Sequence, residues 1–255
     1  LRYYSDLSKY SRLADYTEGA RTIYFQTVFL DDFLFKSAME FYNQYFGYIE
    51  NPITKDEALS YSHLGVRLNS DLWKSMMPMT EEKMDYFYKI TPFHFFHDIV
   101  RFMDGMHMEI KHELLEAGYK KVLDFAGGTG GMALFFAQNG CDVTFYDSSD
   151  IHSAWMKWIS NKLNLNIKIV TQQSDINEKY DLVMAKDIAE HVIDPGSLLE
   201  YFKSLINEGG KVYYTQFPCC GPEELAPMHF KIGNDKDNTT FNKVENLASL
   251  SRNPR

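Results

Sequence analysis

The segment Val122-Leu123-Asp124-Phe125-Ala126-Gly127-Gly128-Thr129-Gly130-Gly131 concentrates the residue types that bring a backbone close to a ligand. An apolar run ends in small residues, as where a buried strand turns into a helix. Glycine is required where a chain turns sharply or approaches a bound molecule without Cβ interference. Asp147 stands 23 residues after Asp124, at the end of the next apolar run, followed by Ser148. A carboxylate there is placed to accept hydrogen bonds from ribose hydroxyls; its bland alternative, capping the next helix, can be met by Ser149 or Asp150. Nicotinamide dinucleotides use a similar loop, but two details oppose that reading. Asp124 lies inside the strand before the glycines, and the spacing departs from G-x-G-x-x-G, with Ala133 at the third position.

Histidines supply the candidates for proton transfer, because their pKa lies near neutrality. His191 follows a fourth apolar run and can serve as a base toward a hydroxyl or amine, or pack and cap the helix after it. Glu190 and Asp187 are weaker candidates beside it. His229, in Pro227-Met228-His229-Phe230, follows the fifth apolar run. His94 and His97 sit one helical turn apart with Asp98 adjacent, but a third ligand is not evident and no metal is expected. His107 lies on an otherwise apolar face and reads as an interior histidine. Cys141, Cys219 and Cys220 form no metal-ligand spacing, and unpaired thiols fit a reducing cytoplasm.

In combination these motifs resemble the class I S-adenosylmethionine-dependent methyltransferases, over residues 121–217. Asp124, Gly128 and Gly130 match the family's acid-x-Gly-x-Gly-x-Gly, with Ala126 in place of the first glycine. Asp147 matches the acid that holds the ribose. Ser174-Asp175-Ile176 looks like the third motif, in which Asp175 would bind the adenine amino group and Ile176 would pack on the ring. Tyr180 to Asp187 looks like the fourth, continued by Glu190-His191-Val192, and Asn207-Glu208-Gly209-Gly210 like the turn before the fifth strand. The resemblance implies that backbone around Ala126 and Lys186 holds the methionine end of the cofactor.

The elements that must position these residues are legible from period and punctuation. Short apolar runs at 121–126, 142–147, 167–170, 180–185 and 211–217 alternate with helical stretches near 130–139, 150–163 and 195–207, the pattern of a parallel sheet. The expected fold is α/β, a doubly wound, mostly parallel sheet with an N-terminal α-helical cap: residues 1–90 the cap, 91–255 the Rossmann-like cofactor domain. In the cap, a helix is expected from about Thr17 to Gly47. Thr54 with Glu57 makes a capping box for a short helix closed by Gly65, and Thr80 caps another. Thr91-Pro92 reads as the N-cap and first position of a long helix reaching Glu116. Residues 1–119 hold most of the aromatic side chains, which suits a substrate pocket, a homodimer surface or a plain core. Tyr3, Tyr4, Tyr10 and Tyr16 are placed to form a lid. Only 38 residues follow Phe217, so the final strands that the resemblance implies are abbreviated, truncated or completed by a partner.

Composition narrows the partners. A net charge of −9 without a basic block repels nucleic acid, and no apolar run approaches the roughly 18 residues of a membrane span. The sequence therefore points to methyl transfer onto a small-molecule acceptor, in specialised metabolism. Two alternatives remain at this point: another displacement on the same cofactor, such as attack by its own amino group to close a ring, and a binding subunit without catalysis.

Overall fold

The structure, a computed structural model, describes residues 32–92, 94–103, 108–214 and 228. Its centre is a five-stranded sheet: β1 (Lys121–Phe125), β2 (Asp142–Tyr146), β3 (Ile167–Val170), β4 (Tyr180–Ala185) and β5 (Ile206–Tyr214). The order is β3-β2-β1-β4-β5 and every pairing is parallel. Strand order reverses between β1 and β4, so the carboxyl ends of these two strands open a crevice at the topological switch point.

Strand side chains alternate between faces. Val122, Val143, Phe145, Leu182 and Met184 point to one face, where they join a core with helices α6 (Gly131–Gln138) and α7 (Asp150–Lys162). Leu123, Phe125, Val183 and Ala185 point to the other, against Leu199 and Phe202 of α8 (Pro195–Ser204). Asp194 caps α8 by accepting from Ser197 N–H, with Pro195 at its first position.

The helices before the sheet are α1 (Asp32–Phe46), α2 (Lys55–Ser75), α3 (Glu81–Ile90), α4 (Phe95–Met103) and α5 (Met108–Glu116). Leu34, Phe35, Ala38, Phe41 and Tyr42 of α1 enter the first core. Phe41 meets Trp155 edge-on at 5.5 Å between ring centroids and lies 5.6 Å from Phe95. Phe41 thus serves as core where α1 meets α7 and α4. Trp73, Phe87 and Met228 form a smaller cluster with Met76, Met84 and Tyr88.

Several local expectations change. The Thr54–Glu57 capping box is present, but α2 runs through Gly65 to Ser75, because its apolar contacts outweigh about 1 kcal/mol of glycine propensity. Thr80 caps α3 as expected, accepting from Lys83 N–H. Thr91 closes α3 rather than opening the next helix: its hydroxyl donates to Phe87 O at 2.5 Å, and α4 starts at Phe95. The helix expected from Pro92 to Glu116 is described as α4 and α5, with 104–107 outside the described residues. The Asn207–Gly210 turn lies inside β5 as an irregularity. Tyr180 pairs with Ile206 and Leu182 with Lys211, so the extra residues bulge outward around Gly209, whose φ is 79°. The Thr17–Gly47 helix is seen from Asp32 onward; the tyrosines of the expected lid, His107 and His229 lie outside the described residues. Among the described residues no helix is long and apolar enough to cross a membrane.

Candidate cofactor and active site

The alternation that buries Val122 also turns Asp124 toward the start of α6, where its Oδ2 accepts the Ala133 N–H at 3.0 Å. Burial, the largest influence, pushes this carboxyl up to about 7; the Ala133 hydrogen bond opposes, the Asp147 charge adds, and Lys111 and Lys186 oppose. Asp124 is therefore the buried pin of the loop. Gly127 passes over it so closely that a Cβ there would lie 2.6 Å from the Phe145 ring and 2.7 Å from Asp124 Oδ2.

The loop itself is left-handed at three positions, Ala126 (φ 54°), Gly128 (φ 57°) and Gly130 (φ 73°). Gly130 is the N-cap of α6, and a Cβ on it would meet Met156 Sδ at 2.0 Å. It is a packing glycine. Gly128 differs: among the described residues a Cβ there would touch only Asp98 Oδ2, at 3.6 Å, so its bare face opens away from the core. The loop is held from three sides. Gly127 N–H donates to Tyr146 O, Gly128 N–H to Asp147 Oδ2 at 2.8 Å, and Trp155 Nε1–H of α7 to Thr129 O at 3.0 Å.

Asp147 ends β2 as expected, beneath the loop. Its Oδ1 accepts from Ser149 N–H at 2.8 Å, and His152 Nδ1 lies 3.4 Å from that same oxygen. An ionised carboxylate has about four lone-pair sites, so these bonds leave acceptor capacity for a ligand. Ser148 is exposed beside it. Two further polar atoms here, Ser149 Oγ and His152 Nε2, are buried without a hydrogen-bond partner among the described residues. An open-faced glycine loop, an acid with spare acceptors and orphaned polar atoms form a cradle that fits an adenosyl group.

Asp175 lies at the end of the short turn Gln173–Asp175 after β3 and is exposed. Ile176 is only 5% exposed and joins the core with Phe125 and Tyr180. Lys186 follows β4, 3.6 Å from the carboxylate of Asp187, which holds a left-handed φ of 52°.

His191 sits beyond β4 in the turn Ala189–His191. Its Nδ1 is 3.0 Å from the Tyr88 hydroxyl, so α3 reaches the carboxyl end of the sheet. Burial, then the charge of the nearly inaccessible Glu190, raise Tyr88 well above the usual phenol range, which keeps it neutral. Tyr214, at the end of β5, is pushed up to about 12 by burial and by Glu190. Among the described residues no His, Cys, Asp and Glu gather as three or more in a metal-holding group; the rings of His94 and His97 lie 5.8 Å apart.

Sequence reasoning missed Tyr88, Trp155 and His152 as site components. Trp155 was legible only as apolar, and Tyr88 as one aromatic among many. For His152 the signal was position alone: it falls in the first turn of a helix that begins three residues after the acid.

Comparisons with known proteins identify the family. A family model described as "Methyltransferase domain" matches residues 98–236, more than half of the chain. A ubiquinone biosynthesis O-methyltransferase from Stutzerimonas stutzeri is 28% identical over 101 residues, 38% of this chain and 44% of the relative. One from Acinetobacter baumannii is 30% identical over 103 residues, 38% of this chain and 43% of the relative. The chain thus spans less than half the length of these curated relatives. Among solved structures, a S-adenosylmethionine-dependent methyltransferase from Clostridium acetobutylicum is similar at 22% identity and a TM-score of 0.37, covering 41% of this chain and 46% of that one. The plantazolicin methyltransferase BpumL, solved with S-adenosylhomocysteine, is similar at 15% identity and a TM-score of 0.45, covering 76% and 78%. With a matching family model over more than half its length, a parallel sheet in the order β3-β2-β1-β4-β5 and an acid-pinned glycine loop at its switch point, the chain belongs to the class I S-adenosylmethionine-dependent methyltransferase family.

Proposed function

We propose that this chain transfers a methyl group to a hydroxyl of a small-molecule acceptor, as expected of an enzyme of specialised metabolism. The observation that carries the reading is the Tyr88–His191 contact at the carboxyl end of β4, on the same rim of the sheet as the Gly128 loop. The curated relatives named as ubiquinone biosynthesis O-methyltransferases favour oxygen as the acceptor atom.

When bound, S-adenosylmethionine supplies a methyl group already activated on sulfonium, so the protein's part is alignment, exclusion of water and disposal of a proton. Gly128, Asp147 and Ser148 would hold the ribose side, Asp175 the adenine, and backbone around Ala126 and Lys186 the amino-acid end. His191 would take the acceptor's proton. A neutral imidazole is a base at one nitrogen only, and the other must carry its proton. With Nδ1–H donating to the Tyr88 oxygen, the lone pair that can take a proton is the one on Nε2. A neutral Tyr88 suits that role, since its oxygen accepts while its own proton points elsewhere. His229 remains a second candidate for acceptor contact.

Mass spectrometry tests this directly. Purified protein is incubated with S-adenosylmethionine and a panel of phenolic and alcoholic acceptors, and also with the cofactor alone. Methylated acceptor with S-adenosylhomocysteine is expected. Methylthioadenosine formed without any acceptor would replace methylation by ring closure. Tyr88→Phe is expected to lower kcat about tenfold, less than the roughly 10²–10⁴-fold of a whole general base because His191 itself stays in place, with the cofactor Kd unchanged.

A further inference from the structure

Asp98 follows His97 on α4. It projects from α4, outside the strands and turns that supply the sequence-legible cradle. Yet its Oδ2 is the atom that a Cβ on Gly128 would touch, at 3.6 Å, which puts it at the bare face of the loop. On its other side the same oxygen lies 3.8 Å from His152 Nε2. That imidazole is only 8% exposed, and its Nε2 has no hydrogen-bond partner among the described residues. Its Nδ1 lies 3.4 Å from Asp147 Oδ1, and Phe95 stacks on the ring with centroids 6.4 Å apart. One buried imidazole therefore spaces two carboxylates that flank Gly128, Asp147 at its N–H and Asp98 at its bare Cα face.

Two carboxylates brought this close repel, and a cation between them offsets the repulsion. Burial is the largest single influence on His152 and disfavours its charge, but Asp147 and then Asp98 together hold its pKa above the ordinary value. A pin between α4 and α7 alone would be made at lower desolvation cost by apolar side chains. The pair of acids instead leaves acceptor oxygens at the face of Gly128 where, among the described residues, a Cβ would meet only Asp98.

Resting on the Gly128 loop as the cofactor cradle, we propose that Asp98 is a second acidic arm of that cradle, accepting from a hydroxyl or the ammonium of the bound cofactor, and that His152 is the positioning residue that holds it opposite Asp147. The helix before β1 would then take part in cofactor binding as well as in packing.

Calorimetric titration with S-adenosylhomocysteine tests this without turnover. Wild-type protein should bind; if it does not, the cradle reading itself fails, which separates the two ideas. Asp98→Asn should weaken binding about tenfold or more, the loss expected when a charged acceptor is removed. Repeating the titration with 5′-methylthioadenosine, which lacks the amino-acid end, assigns the donor. A loss seen with both ligands names a ribose hydroxyl, and a loss confined to S-adenosylhomocysteine names the ammonium. Equal affinity of wild type and Asp98→Asn for both ligands would overturn the proposal. Should Asp98→Asn fail to fold, Asp98→Glu displaces the carboxylate by one methylene and is expected to cost several-fold, with unchanged affinity again overturning it. For His152, the double variant Asp98→Asn/His152→Asn should bind no worse than Asp98→Asn alone, because His152 acts through Asp98. Additive losses would reduce His152 to a packing role.

Discussion

At the scale of single residues, the loop shows what an apparently mild sequence departure does. Ala126 stands where the family pattern has its first glycine, and its φ of 54° falls in the left-handed region. An L residue with a Cβ pays roughly 1–2 kcal/mol there, and glycine recovers most of it while adding unfolded-state entropy of roughly 0.5–1 kcal/mol. Ala126→Gly is therefore expected to stabilise the fold by about 0.5 kcal/mol, read as a small rise in urea midpoint at unchanged slope. A drop in midpoint would mean that the methyl group contributes packing that outweighs the strain. Asp187, also left-handed at φ 52°, follows Lys186 where the resemblance places the amino-acid end of the cofactor. Local strain of this kind persists where surrounding structure over-determines it.

At the scale of elements, the glycine loop and α7 form one unit. Trp155 holds Thr129 O, and Met156 fills the space that a side chain on Gly130 would need. Gly130→Ala must push back Met156 and also endure a φ of 73°. The expected cost is about 2–4 kcal/mol, an overpacking term plus the left-handed penalty. Thermal unfolding checks this, and Gly130→Ala combined with Met156→Ala should recover part of the loss if the clash is the cause. Elements of this kind differ in how far the sequence discloses them. The five strands and the helices between them were legible because buried parallel strands read as short apolar runs, and turn residues mark their ends. Gly65 and Thr91 misled because both are local signals overridden by packing: α2 continues through its glycine, and the Thr91 hydroxyl turns back to Phe87 O. The acids and glycines of the site were legible by spacing. His152, Tyr88 and the role of Asp98 were not, since each depends on an approach between helices that no linear spacing encodes.

At the scale of the whole molecule, the buried acid beneath the loop sets the pH dependence of stability. Asp124 has a folded pKa of about 7, raised chiefly by burial, against an ordinary value of 3.8. Between these values the folded state binds a proton that the unfolded state has released. Stability therefore falls as pH rises through this window, because the slope follows the protons bound unfolded minus those bound folded. His152 adds to the same trend. Its folded pKa is raised above 6.5, so its contribution is complete below that value and is lost as pH climbs through the folded one. The ligand-free protein is thus expected to be more stable near pH 5 than near pH 8. Asp124→Asn separates the two groups. Its side-chain oxygen can still accept the Ala133 N–H, and it never ionises, so the variant should match wild type near pH 5 and exceed it near pH 8. Thermal melts at both pH values measure this. If wild type and Asp124→Asn lose stability in parallel as pH rises, Asp124 does not titrate between these pH values and is not the source of the trend.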